Sequence, residues 1–227
     1  MKKILIIAAH PDDEILGCGG TILKNIKLKN KVHVLYISDG VGGRFNKKFD
    51  QKKYNEIIKR KNMAIKASKS AKFKIVDFLG LENLELNKYK HNFINNKIFE
   101  ILKKIKPDVV FTNHPGDNNI DHQITFESTY TACRPNNYFN IKELYTYEIP
   151  SSTDWASPTS KQFSPKKFVD ITKFYKQKRR LLNYYKKELR KYPHPRSLKN
   201  IDALETYRGG ICGVEKAEAF DVIRIIK

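Results

Sequence analysis

Apolar positions along the chain follow two periods that alternate from one end to the other. Short runs dense in β-branched and aromatic residues cover 3–9, 32–37, 75–79, 108–112, 142–149, 168–171 and 217–225, and read as strands. Between them, apolar side chains recur at three- and four-residue spacing. That spacing predicts helices over 21–29, 51–69, 92–104, 123–132, 173–191 and 201–208. Pro107 stops the third of these, and the glycines of 209–213 predict a tight turn. Leu181, Leu182, Tyr184, Tyr185 and Leu189 form a stripe on the fifth helix, suited to core packing or to a subunit contact. Strand alternating with helix implies an α/β fold: a Rossmann-like, mostly parallel sheet flanked by helices, with 168–171 at its edge. The 227 residues suit one domain over 1–227, without repeat or linker.

In open α/β sheets the ligand lies beyond the C-terminal ends of the strands, so the residues there carry the chemistry. The first strand runs into His10-Pro11-Asp12-Asp13-Glu14, then into the small residues Gly17-Cys18-Gly19-Gly20, which allow a helix to start close against the sheet. His10 and Asp13 suit a divalent metal such as zinc, and Asp12 between them is free to act as a base on an activated water. Aspartates that merely cap a helix are the competing reading. Assembling an imidazole and three successive acids is costly for capping alone. The fourth strand delivers a second cluster, Asn113 to His122. Parallel strands bring such ends together, which makes His122 a third ligand, and Asp121 stands at a helix start that favours an acid.

Other strand ends are less specific. The glycine-rich loop 38–44, with Arg44, is either a flexible turn or a row of N–H groups for an anion. Trp155, the only tryptophan, either stacks on a sugar face or braces its loop. His33 opens its strand at the end away from these clusters and reads as structural.

Composition narrows the setting. The three cysteines, Cys18, Cys133 and Cys212, have no paired spacing and suggest neither disulfides nor a zinc knuckle. Met1-Lys2-Lys3 and its apolar run resemble a signal peptide, but the run is short and ends in charges, so a cytoplasmic protein is expected. No stretch approaches the roughly 20 apolar residues of a membrane span. The net charge of +20 fits either a solvated, lysine-rich surface or an anionic substrate or membrane surface met peripherally. Nucleic acid is not expected, because no helix-turn-helix, zinc finger or aromatic-basic platform is present.

The unbroken Ala9-His10-Pro11-Asp12-Asp13-Glu14 run resembles the signature of the zinc-dependent N-acetylglucosaminyl deacetylases (PIG-L / LmbE-like), which include phosphatidylinositol-glycan, mycothiol-pathway and bacillithiol-pathway enzymes. The resemblance implies the LmbE-like deacetylase fold, with His10, Asp13 and His122 on zinc and Asp12 as general base. It extends through Asp121-His122 to the closing Ala217-Glu218-Ala219-Phe220. It also makes Arg60 a substrate contact, although Met63 stands where the family's helix carries a glutamate. His194, held between Pro193 and Pro195, becomes a candidate general acid, and Arg196 a candidate anion contact. Asn119 occupies the place of a second histidine that steadies the oxyanion in several relatives, so His114 or Asn119 is expected to take that task.

The expected function is therefore metal-dependent removal of an N-acetyl group from an amino sugar, releasing acetate. Arg44, Arg60 and Arg196 suggest a phosphate-containing, nucleotide- or lipid-linked aglycone. Two rivals remain at this stage: a Rossmann-type nucleotide or cofactor-binding enzyme, and a non-catalytic metal-binding protein. The first lacks a Gly-x-Gly-x-x-Gly opening its first helix. A homo-oligomer is also expected, since the aromatic stripe of 174–185 looks exposed and a trans-acting His194 would need a neighbour.

Overall fold

The computed structural model describes residues 1–45 and 50–226. Seven strands form a single sheet: β1 (Lys3–Ala8), β2 (Lys31–Ser38), β3 (Lys74–Leu81), β4 (Val109–Asn113), β5 (Glu143–Tyr147), β6 (Lys167–Asp170) and β7 (Ala217–Ile225). Their order across the sheet is β3-β2-β1-β4-β5-β7-β6. The first five of these are parallel, whereas β7 runs antiparallel to both β5 and β6. From β1 the sheet is built outward in opposite directions, through β2 to β3 on one side and from β4 to β5 on the other, so the ends of β1 and β4 lie beside each other at the topological switch point. As its pattern predicts, β6 is an edge strand.

Helices α1 (Asp13–Lys27), α2 (Gln51–Ala71), α3 (His91–Ile105), α4 (Ile120–Ala132), α5 (Tyr175–Leu182) and α6 (Leu198–Cys212) cover the sheet. Successive side chains of β1 point to opposite faces. Ile4, Ile6 and Ala8 enter the core under α1 and α2, while Leu5 and Ile7 enter the core under α3 and α4.

Three local expectations are corrected. Helix α1 begins at Asp13 rather than at residue 21, so the glycines lie inside it. They are needed for close approach: a Cβ at Gly17 would come 2.4 Å from the Tyr147 ring, and one at Gly20 would come 2.4 Å from Ile171. The segment expected to be helical over 173–191 stops at Leu182 and passes through a 3-10 turn at Asn183–Tyr185. Gly209 and Gly210 are not a tight turn but the last part of α6, which ends at Gly213 with φ 77°.

The apolar stripe of 181–189 is mostly internal. Leu181, Leu182 and Tyr185 are all buried in the chain's own core, whereas Tyr184 is exposed. A buried ion cluster lies against α1: Lys178 Nζ reaches Glu218 at 2.7 Å, Glu205 at 2.9 Å and the Leu16 carbonyl at 2.9 Å. Glu218 in turn accepts the N–H groups of Gly20 and Thr21. Among the described residues, no helix is long and apolar enough to cross a membrane.

Candidate metal centre

β1 ends at Ala8, and the chain turns sharply into α1 through Asp12, whose φ of 141° lies in a region unfavourable for a side-chain-bearing residue. Glu14 holds that turn. Its Oε2 accepts the Asp12 N–H at 3.0 Å and its Oε1 accepts the Tyr185 hydroxyl at 2.6 Å. Burial, with some help from the Asp12 charge, pushes the Glu14 carboxyl up to about 7. The turn places His10 and Asp13 on one side, facing His122 in the first turn of α4.

Three donor atoms form a buried triangle. His10 Nδ1 lies 3.3 Å from His122 Nε2, Asp13 Oδ2 lies 3.4 Å from His122 Nε2, and His10 Nδ1 lies 3.6 Å from Asp13 Oδ2. A tetrahedral ion bound at about 2.0–2.2 Å separates its ligand atoms by about 3.3–3.6 Å, so these edges fit one divalent cation. The remaining ring nitrogens settle the tautomers. His10 Nε2 donates to Asp121 Oδ2 at 2.9 Å, and His122 Nδ1 donates to Asp117 Oδ2 at 2.7 Å, since a carboxylate can only accept. Lone pairs on His10 Nδ1 and His122 Nε2 are thereby turned inward.

The supporting shell is equally closed. Asp121 also accepts the Leu84 N–H at 2.8 Å, and Asp117 Oδ1 accepts the Thr153 hydroxyl at 2.6 Å. Asn113, at the end of β4, donates to Asp13 Oδ2 at 3.1 Å while its oxygen accepts the Ala9 N–H at 2.9 Å. Without a metal, a proton occupies the triangle. Burial opposes it, but hydrogen bonds to Asp121 and Asp13 and their charges prevail, raising His10 to about 9. Burial likewise pushes Asp13 up, yet the His122 and His10 charges pull it well below the usual carboxylate range. The Oδ1 atoms of Asp12 and Asp13 are buried with no hydrogen-bond partner among the described residues, as expected of groups awaiting a cation and a water.

The structure distributes the other sequence candidates unevenly. Asp12 is beside the triangle, with Oδ2 held by Arg60 Nη2 at 2.9 Å and Arg196 Nη1 at 3.4 Å. Arg60, expected to meet substrate, is instead buried between Asp12 and Glu188. Arg44, half exposed, pairs with Glu188 Oε2 at 2.7 Å. Arg196 reaches the site from its own chain, so segment 192–197 needs no neighbour to arrive there. His194 lies at the rim, edge-on to Trp155 with ring centroids 5.1 Å apart, and Trp155 is exposed. Burial and the nearby charges of Arg190 and Arg196 lower the His194 pKa.

His114 does not present a free nitrogen to the site. Its Nε2 donates to the Lys161 carbonyl at 2.8 Å, its Nδ1 faces Thr146 Oγ1, and its ring packs edge-on to Phe163. Asn119 uses its side-chain oxygen to cap α4 by accepting the Asp121 N–H at 2.9 Å. Asp117 and Glu188 escaped sequence reasoning as functional residues. Asp117 stood within the second cluster, five residues before His122, whereas nothing local marks Glu188.

The family model described as PIG-L, GlcNAc-PI de-N-acetylase, matches residues 5–133, which contain the whole donor triangle. The chain belongs to the PIG-L family. One relative, the Escherichia coli K12 protein described as uncharacterized deacetylase YaiS, is 26% identical over 178 residues, covering 77% of this chain and 84% of its own length. Among solved structures, N,N'-diacetylchitobiose deacetylase from Pyrococcus horikoshii superposes with a TM-score of 0.76 at 22% identity, covering 98% of this chain and 84% of the other. The 4-carboxy-2-hydroxymuconate hydratase GalB from Pseudomonas putida KT2440 gives a TM-score of 0.80 at 16% identity, covering 100% and 99%. The two structural likenesses establish the fold. Within the PIG-L family the His10/Asp13/His122 triangle supports a metal-assisted hydrolase of the deacetylase type.

Proposed function

We propose that the protein is a zinc-dependent amidohydrolase that removes the N-acetyl group from an N-acetylated amino sugar. The observation that carries this reading is the buried triangle of two imidazoles and one carboxylate with Asp12 unligated beside it. Two nitrogens and one oxygen at tetrahedral spacing suit zinc better than an oxygen-seeking magnesium or calcium ion. When bound, the cation supplies a Lewis acid that polarises the amide carbonyl and makes a water molecule acidic enough to attack near neutral pH.

The chain's own residues do the rest. Asp12 Oδ1, the oxygen without a partner, takes the proton of the attacking water, while Arg60 and Arg196 keep Oδ2 in place. As the C–N bond breaks, Asp12 returns that proton to the leaving nitrogen, giving acetate and a free amine. Asp12, already beside the triangle, serves in both directions. With both nitrogens of His114 engaged, the Asn119 amide N–H remains the side-chain donor for the developing oxyanion.

A phosphate-containing aglycone now rests on the positive surface and on Arg44, which is half exposed although paired with Glu188, whereas Arg60 is buried between carboxylates. Comparing turnover of free N-acetylglucosamine with its nucleotide-linked form tests that part. Equal efficiency removes the phosphate and leaves the deacetylase. For the chemistry itself, Asp12→Asn is expected to keep one zinc per chain and lose acetate release by at least a hundredfold. Retained activity with retained metal refutes Asp12 as the base.

A further inference from the structure

Arg60 is one of the most enclosed cations in the molecule, with 4% of its side chain exposed, and α2 offers it no partner. One turn on stand Met63 and Ala64, and one turn back Glu56 is paired with Lys59 and Lys187. Its two carboxylate partners come from elsewhere. Nη2 meets Asp12 Oδ2 at 2.9 Å, and Nη1 forms an ion pair with Glu188 Oε1 without the alignment of a hydrogen bond. Glu188, itself 7% exposed, follows the 3-10 turn whose Tyr185 ring lies 5.8 Å below the guanidinium carbon. Arg44 donates to the second oxygen of Glu188 at 2.7 Å and, more weakly, to the first at 3.3 Å. The result is an alternating row, Arg44–Glu188–Arg60–Asp12–Arg196, buried in its middle three members.

A guanidinium is a rigid planar fork, so fixing Nη1 fixes the direction of Nη2. Held only by Asp12, the fork would be free to turn and take both carboxylate oxygens in the bidentate manner such pairs favour. We propose that Glu188 is a positioning residue for Asp12: it anchors the far nitrogen of Arg60 so that Arg60 grips Asp12 Oδ2 alone and leaves Oδ1 free. This rests on the reading of Asp12 as the base. Glu188 touches neither substrate nor metal and acts through Arg60.

Glu188→Ala and Glu188→Gln in the zinc-loaded full chain, with Asp12→Asn as control, test the assignment. Glu188→Ala is expected to keep its zinc, to lose at least tenfold in kcat with KM within twofold, and to regain several-fold with added formate. Asp12→Asn gains nothing from formate. Glu188→Gln, which keeps an acceptor for Nη1, falls between, and it takes over all readouts if the alanine variant does not fold. A crystal structure of the variant provides a readout without activity, with Arg60 turned onto both Asp12 oxygens or away from Oδ2. Unchanged kcat, a change in KM alone, or an unmoved Arg60–Asp12 pair would overturn the proposal. If the wild type releases no acetate from any N-acetyl sugar, the deacetylase reading fails instead, and the crystal structure alone decides the role of Glu188.

Discussion

Asp117→Asn isolates the contribution of a residue that never touches the metal. Asp117 is fully buried, accepts the His122 Nδ1–H at 2.7 Å and receives the Thr153 hydroxyl at 2.6 Å on its other oxygen. Asparagine fits the same space but brings no charge. If its oxygen faces His122, the tautomer survives and the imidazole is a weaker donor. If its amide nitrogen faces His122, the ring must carry its proton on Nε2, and ligation is lost. Removing such a partner costs about 10–100-fold in metal affinity, or about 1.4–2.7 kcal/mol. Thr153→Ala removes a hydrogen bond to Asp117 but leaves the charge, so it should cost less than tenfold. Competition against a chromophoric chelator at fixed pH measures all three proteins. A zinc affinity for Asp117→Asn within threefold of wild type would refute the orienting role.

Metal affinity should also depend on pH through His10. The metal-free ring sits at about 9 against an ordinary 6.5, and the ion must displace its proton, so apparent affinity rises about tenfold per pH unit up to about pH 9 and then flattens. The same raised pKa stabilises the metal-free protein fully below about pH 6.5 and is lost as pH rises through about 9, which denaturation of chelated protein at both extremes measures. A pH-independent affinity would contradict the proton in the triangle. Lys178→Met leaves Glu205 and Glu218 buried without their cation and should destabilise by about 3–5 kcal/mol, lowering Tm by roughly 6–20 °C. A shift under 2 °C would show that these carboxylates are relieved in another way.

The donor triangle was legible because its members sit in two short clusters at the ends of strands whose apolar runs are plain in the sequence. His10 and Asp13 share one turn, β1 and β4 pair directly and so bring the second cluster beside them, and the resemblance of Asp121-His122 to the family's pair picks out His122 over His114. Helix boundaries were less legible where small residues serve packing. Gly17 and Gly20 read as a loop, but they lie within α1 because Tyr147 and Ile171 occupy the space a Cβ would fill. The partners of the arginines were not legible at all. Glu188 lies 128 residues beyond Arg60, and a charge pair of that separation leaves no periodic mark. Asp121 was visible as an acid at a helix start, but its bond to His10 depends on the approach of two strand ends.

The central claim is that one cation in the His10/Asp13/His122 triangle drives amide hydrolysis. The most direct measurement is acetate release from an N-acetylated amino sugar by chelated protein titrated with zinc. Activity should be absent at the start, rise in proportion to added zinc and level off at one equivalent per chain, with acetate and free amine formed in equal amounts. Acetate release that survives chelation, or a fully loaded protein that releases none across a panel of N-acetyl sugars, would contradict it.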